Sequence, residues 1–203
     1  MKLYQNLNVA LKDAREVKAL KLKINARFLP PDLFELSKLQ FLYLEGNFEQ
    51  LPEEIFKLRD LKELSLKSPS FKGNLAIAFK LPSLVNFKVF DTPLRHLDLP
   101  LGHSTSALTS LTLKNTSLES LPEEIFQLYS LKEMNLSGNQ LSSLPFGFGQ
   151  LKNLRRLNLD LNQFYKFPNL ITSLPSLHHL SIDDNPFSDE EKARIQRVFH
   201  LHL

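Results

Sequence analysis

Cysteine is absent from the chain, and that removes a disulfide framework, a thiolate zinc site and a cysteine nucleophile together. The redox compartment stays open, because a chain without thiols survives in either. Glycine is scarce, at six residues. None belongs to a phosphate-cradling loop, and neither GxSxG nor HExxH occurs. No apolar run approaches the ~18 residues that a bilayer crossing needs. The start, Met1-Lys2-Leu3-Tyr4-Gln5-Asn6-Leu7, lacks the apolar stretch of a secretory leader. Charge of one sign is lacking as well: 25 basic and 22 acidic residues leave a formal +3. That balance argues against nucleic acid or anionic lipid as an obligatory partner. His178, His179 and Asp183 have no candidate nucleophile fixed beside them, so the reading is that the chain is not an enzyme and needs no cofactor.

What the chain has instead is leucine, at 44 of 203 positions. A bias of this size points to a repeated unit. Aligned on LxxLxLxxN, the chain falls into eight units starting at Val17, Leu39, Leu61, Leu84, Leu108, Leu131, Leu154 and Leu177, spaced by 22, 22, 23, 24, 23, 23 and 23 residues. The fourth and sixth positions are apolar in every unit, from Leu20 and Leu22 to Leu180 and Ile182. Alternation of this kind predicts a short strand with apolar side chains on one face and solvent-facing side chains on the other. No unit can form a core alone; stacked neighbours complete it.

The ninth position is Asn25, Asn47, Asn139, Asn162 and Asn185 in five units, Thr92 and Thr116 in two, and Pro69 in one. An Asn amide there can satisfy turn backbone groups between units. Pro69 cannot, which predicts irregularity in units three and four. The returning segments Leu51-Pro52-Glu53-Glu54-Ile55 and Leu121-Pro122-Glu123-Glu124-Ile125 suit a short 3₁₀ turn. Residues 69–81 and 93–107 carry no such pattern and are expected to lack the turn.

These features resemble the leucine-rich repeat, over residues 17 to about 187. The 23-residue spacing with LPEEI on the returning half resembles the short repeat proteins of pathogenic spirochaetes (the leptospiral type). The resemblance implies an α/β repeat solenoid: a right-handed superhelix, curved like a horseshoe, with a parallel concave sheet. It also implies a bacterial protein that binds another protein, with a host protein as one class of partner. The resemblance points to a secreted or cell-surface setting, whereas the sequence itself carries no leader and fits the cytoplasm equally.

One repeat domain is expected to span residues 1–203, with a cap over 1–16, repeats over 17–187 and a second cap over 188–203. Leu3, Leu7, Ala10, Leu11 and Ala14 predict an amphipathic helix over 3–14. Ser188-Asp189-Glu190-Glu191 has the form of a capping box opening a helix with Ile195, Val198 and Phe199 on one face.

Function must then reside in the solvent-facing strand positions. Eight strands ~4.8 Å apart make a strip on the order of 34 Å long, suited to a protein segment. Phe41, Tyr43 and Phe90 are candidate anchors on it. Lys21 and Lys23 make its N-terminal end basic, either as a solvated face or to attract an acidic partner. Lys88, Arg156 and His179 complete the candidate partner-binding set, and Glu133 should pair with Arg156. Two other readings remain open at this point. Lys18, Lys21, Lys23, Lys67, Lys88 and Lys114 could bind nucleic acid or an anionic surface. Asp160, Asp183 and His179 could hold Ca²⁺ or Zn²⁺ in a metal-stabilised repeat.

Overall fold

The apolar alternation fixes how the strands align. In the computed structural model, which describes residues 1–100 and 107–199, Leu20, Leu42, Leu64, Phe87, Leu111, Met134, Leu157 and Leu180 stand in one continuous register. The strands are β1 (Leu3–Tyr4), β2 (Ala19–Ile24), β3 (Phe41–Gly46), β4 (Glu63–Lys67), β5 (Asn86–Phe90), β6 (Ser110–Lys114), β7 (Glu133–Asn135), β8 (Arg156–Asn158) and β9 (His179–Ser181). They form one sheet in chain order, each parallel to the next. This is the solenoid that the repeat pattern implies. Leu42, Leu111 and Leu157 belong to one continuous core. Of the fourth and sixth positions only Leu180, in the last unit, falls short of full burial. No helix among the described residues is long and apolar enough to cross a membrane.

The returning segments make 3₁₀ turns at Pro31–Glu35, Glu53–Lys57, Leu75–Lys80, Glu123–Gln127, Phe146–Gln150 and Asn169–Ser173. The turn at Leu75–Lys80 corrects the expectation for residues 69–81. Its start is capped by Asn74, whose side chain accepts from the Ala76 N–H at 2.6 Å, and Phe79 seats it edge-on against Phe87 at 5.4 Å between ring centroids. The capping residue and the aromatic anchor replace the missing Pro-Glu-Glu signal. In the second stretch, 93–107, no helical turn occurs among the described residues, and 101–106 lie outside them.

Turning off a strand buries backbone groups that water cannot reach, and the chain meets this in two ways. In units four to eight the eighth residue enters the left-handed region: Asp91, Asn115, Gly138, Leu161 and Asp184 have φ of 45, 55, 70, 55 and 56°. The ninth residue then points inward. Asn162 donates to the carbonyls of Leu136 at 2.9 Å and Leu159 at 3.0 Å and accepts from the Leu141 N–H at 3.1 Å. Asn139 and Asn185 do the same one unit away on either side. Thr116 donates its hydroxyl to Asn139 at 2.8 Å.

In units one and two the expected Asn ladder does not form: Asn25 and Asn47 are exposed. These units are one residue shorter, and β2 and β3 run on to pair Ile24 with Gly46. The backbone thereby satisfies itself, Asn47 N–H donates to Ile24 O at 2.8 Å, and Phe48 fills the core behind it. Gly46, at φ 142°, is required here, because a Cβ would overlap the Ile24 carbonyl. Pro69 is bypassed too. Ser68 donates its hydroxyl to Phe48 O at 2.5 Å and its N–H to Thr92 Oγ at 2.9 Å, so unit three keeps its strand register.

Both ends depart from the expected caps. Leu3 and Tyr4 do not continue a helix over 3–14; they form β1 and extend the sheet, and only Leu7–Lys12 is helical (α1). Asn6 stops the helix from starting earlier by capping it, accepting from the Val9 N–H at 3.1 Å. At the other end α2 (Asp189–Phe199) begins with the Ser188 hydroxyl accepting from Glu191 N–H at 3.1 Å. The reciprocal half of the box is absent. The Glu191 carboxylate instead accepts from Phe167 N–H at 2.8 Å and from Arg194 at 2.6 and 2.8 Å, tying the helix to the preceding unit. Glu123 plays a comparable part, accepting from the N–H groups of Phe146 and Gly147 at 3.2 and 2.9 Å. Ile195 is fully buried, whereas Val198 is exposed and the Phe199 side chain lies outside the described residues.

Asn162→Ala should cost about 2–4 kcal/mol in urea unfolding, because it leaves buried carbonyls without donors. Asn47→Ala, at the same repeat position but exposed, should stay within about 0.5 kcal/mol. Equal costs would contradict the two-mode account. The Arg194 hydrogen bonds, then the Phe167 N–H, hold the Glu191 carboxyl down from 4.5 to about 2. A folded-state value below the ordinary one gives stability that is complete above about pH 5 and lost as pH falls toward 2. Thermal melts of Glu191→Gln across that window should therefore show a shallower acid decline than the parent.

Candidate partner-docking face

The third, fifth and seventh positions of each unit line the open face of the sheet in rows. The third-position row runs Ala19, Phe41, Glu63, Asn86, Ser110, Glu133, Arg156, His179 in strict register. Within it Glu63 is the unexpected residue, because only 7% of its surface is exposed. A buried carboxylate needs compensation. Lys88 Nζ lies 2.8 Å from one of its oxygens and Asn86 Nδ2 3.3 Å from the other, and the Tyr43 hydroxyl also donates to it. Burial first, then the Glu63 charge and hydrogen bond, push the Tyr43 hydroxyl above its ordinary 10.0.

Lys88 is thus not a free cation for a partner, as its position on the strip suggested. The same holds for Lys67, 3.0 Å from Asp91. Hydrogen bonds from Asn115 and then Lys67 hold the Asp91 carboxyl below its ordinary range, and the bond to Asp91 raises Lys67. Arg156 meets Glu133 at 3.4 Å, as the register predicts, with both side chains more than half exposed; such a pair contributes little.

The candidate residues divide between two recesses. Lys21, Tyr43 and Phe90 line one of about 460 Å³ over β1 to β5, closed on one side by Met1, Leu3 and Ala19. Phe41 is half-buried in the row beside it, next to buried Ala19, and Lys23 stands exposed on β2 opposite Glu45. Arg156 and His179 line a second recess, of about 450 Å³, over β6 to β9, among polar residues such as Thr112, Asn135 and Asn158. Sequence reasoning missed Glu63, Met1 and Leu3. The signal for Glu63 was available: an acidic third position lies diagonally across from Lys88 in the next unit. For Met1 and Leu3 there was none, since Leu3 reads as helix and Met1 lies beyond it.

At the C-terminal end Asp160 accepts from Ser181 Oγ at 2.6 Å, from the Asp183 N–H at 2.9 Å and from Asn158 Nδ2 at 3.0 Å. Its carboxylate is used to hold the β8–β9 turn. Asp183 and His179 are exposed, and among the described residues no three His, Cys, Asp or Glu side chains converge as a metal would require.

A plain sequence search of curated proteins gives no match. Among solved structures, a leucine-rich repeat protein of Leptospira interrogans aligns over 97% of this chain and 68% of its own, at 24% identity and TM-score 0.57. The plant peptide hormone receptor RGFR1, solved in complex with RGF2, aligns over 83% of this chain and 28% of its own, at 22% identity and TM-score 0.60. At that level of identity the likeness shows the fold. Residues 96–202 match the family profile described as a leucine-rich repeat region, which is more than half of the chain, and the strand register carries the same repeat through the rest. The chain belongs to the leucine-rich repeat family.

Proposed function

We propose that the chain is a protein-binding module whose open sheet face docks a segment of a partner protein over β2 to β5. The leucine-rich repeat fold is typically a non-enzymatic scaffold for protein interaction, and this reading gives it a specific surface. The observation that carries it is the recess shared by Tyr43 and Phe90. Two half-exposed aromatic side chains border one hollow walled by Met1, Leu3 and Ala19, on a face that is mainly polar from β4 onward, which is the arrangement of an interface anchor site. RGFR1 in its complex with RGF2 is a repeat protein with a bound peptide, which favours a peptide-like segment as the occupant here. The likeness to the Leptospira interrogans protein is the reason to look for that partner among host proteins.

The comb of lysines that would serve a nucleic acid is less favourable than it looked. Lys67 and Lys88 are neutralised by Asp91 and Glu63, leaving a sparse basic surface for a phosphate backbone.

The double variant Tyr43→Ala/Phe90→Ala tests the site. Capture of a partner isolated with the parent chain should weaken by at least ~100-fold, since anchor residues each account for ~2 kcal/mol or more. Phe146→Ala serves as the contrast: this side chain is 77% exposed on a returning turn, away from the strands, and its loss should leave capture unchanged. The opposite result would move the site off the sheet face.

A further inference from the structure

The charges of the open face are distributed unevenly along the strip. From β4 to β8 most are closed off in pairs, Lys88 with Glu63 at 2.8 Å, Lys67 with Asp91 at 3.0 Å and Arg156 with Glu133 at 3.4 Å, while Lys114 on β6 stands exposed. At the β2 end Lys21 and Lys23 are exposed, and among the described residues neither is in an ion pair. The nearest carboxylates do not cancel them. Glu63 is buried and occupied by Lys88, and Glu45, which also lines the recess, stands in register between Lys23 and Lys67 and offsets one of the two lysines at most. Lys21 has Tyr43 opposite it and is itself part of the recess wall. At the β9 end the exposed charge on the face is of the other sign, Asp183, with Asp184 on the turn that follows it, and among the described residues neither is in an ion pair. Among the described residues the strip is therefore more basic beside the aromatic recess and acidic at the β9 end.

Resting on the docking reading above, we propose that the bound segment is acidic where it crosses β2. An apolar side chain of the partner enters the recess between Tyr43 and Phe90, and Asp or Glu residues flanking it meet Lys21 and Lys23. Unpaired like charges beside an apolar hollow favour a ligand of the opposite sign and discriminate against the same sign. The carboxylates at the β9 end reinforce the choice, because an acidic run continuing in that direction would face Asp183 and Asp184. This fixes the orientation of the segment as well as its composition: acidic residues over β2, neutral or basic residues toward β9.

The test uses the full chain and an array of end-capped ten-residue peptides. Each carries one central Phe or Leu, flanked on one side by Asp/Glu, by Asn/Gln or by Lys/Arg, with all other positions randomised. Acid-flanked peptides should bind roughly tenfold more tightly than their amide counterparts, with the preference fading as salt rises. The Lys21→Glu/Lys23→Glu variant should reverse it in favour of the basic set, with its circular dichroism and melting temperature close to the parent's. Equal binding of acidic and amide sets, or a preference unchanged by the charge reversal, overturns the acidic partner while leaving the docking site in place. If no set binds the parent chain more tightly than Tyr43→Ala/Phe90→Ala, the docking site falls and the acidic partner with it.

Discussion

A solenoid of single short strands has one recurrent difficulty, which is that each strand must turn back under its neighbour and carry backbone amides and carbonyls into a region closed to water. Unsatisfied, each such group costs about 1–3 kcal/mol, and eight turns would exceed the stability of a domain this size. The later units answer with a side chain. A left-handed residue ends the strand, and Thr92, Thr116, Asn139, Asn162 or Asn185 is carried inward to bond the turns above and below. The first two answer with backbone alone, by running β2 and β3 one pair further. Everything on the open face depends on this closure, because it sets where each strand stops and so which side chains share a row.

Once the rows are fixed, chemistry on the face becomes a matter of neighbours. Residues in adjacent units at the same position stand one strand apart. Glu133 with Arg156 is a pair of this origin, and Glu63 with Lys88 is its diagonal counterpart, separated by 23 and 25 residues in the chain. The buried Glu63 goes further than the surface pair: by holding Lys88, Asn86 and Tyr43 at once, it orients one of the two aromatic walls before any ligand arrives. Such preorganisation would lower the entropy that the proposed docking must otherwise offset.

Much of this was legible in the sequence, and the limits were physical. The inward columns at the fourth and sixth positions needed only periodicity, since every unit faces the same demand for a core. The ninth-position Asn was a weaker guide because its role depends on strand length: Asn25 and Asn47 match the motif as well as Asn139 does, yet the 22-residue spacing lets the backbone take over. Residues 3–14 show helical periodicity, but the open edge of β2 offered Leu3 and Tyr4 a ladder of hydrogen bonds that a one-dimensional pattern cannot display. The recess was half visible, as Tyr43 and Phe90. Its wall was hidden because Met1 and Leu3 reach it only through β1.

The backbone-closed turns of the first units have a consequence for change over time. Where an amide side chain holds the turn, exchanging it for another residue loosens the scaffold, which is a constraint on that position. Where the main chain holds it, the ninth residue is free to vary, as at Asn25 and Asn47, although Gly46 beside it is not. Part of the hollow bordered by Lys21 and Tyr43 sits on those first units. The surface proposed to dock a partner thus rests in part on turns whose ninth residue, Asn25 or Asn47, can be exchanged at little structural cost, while Gly46 keeps the turn itself in place.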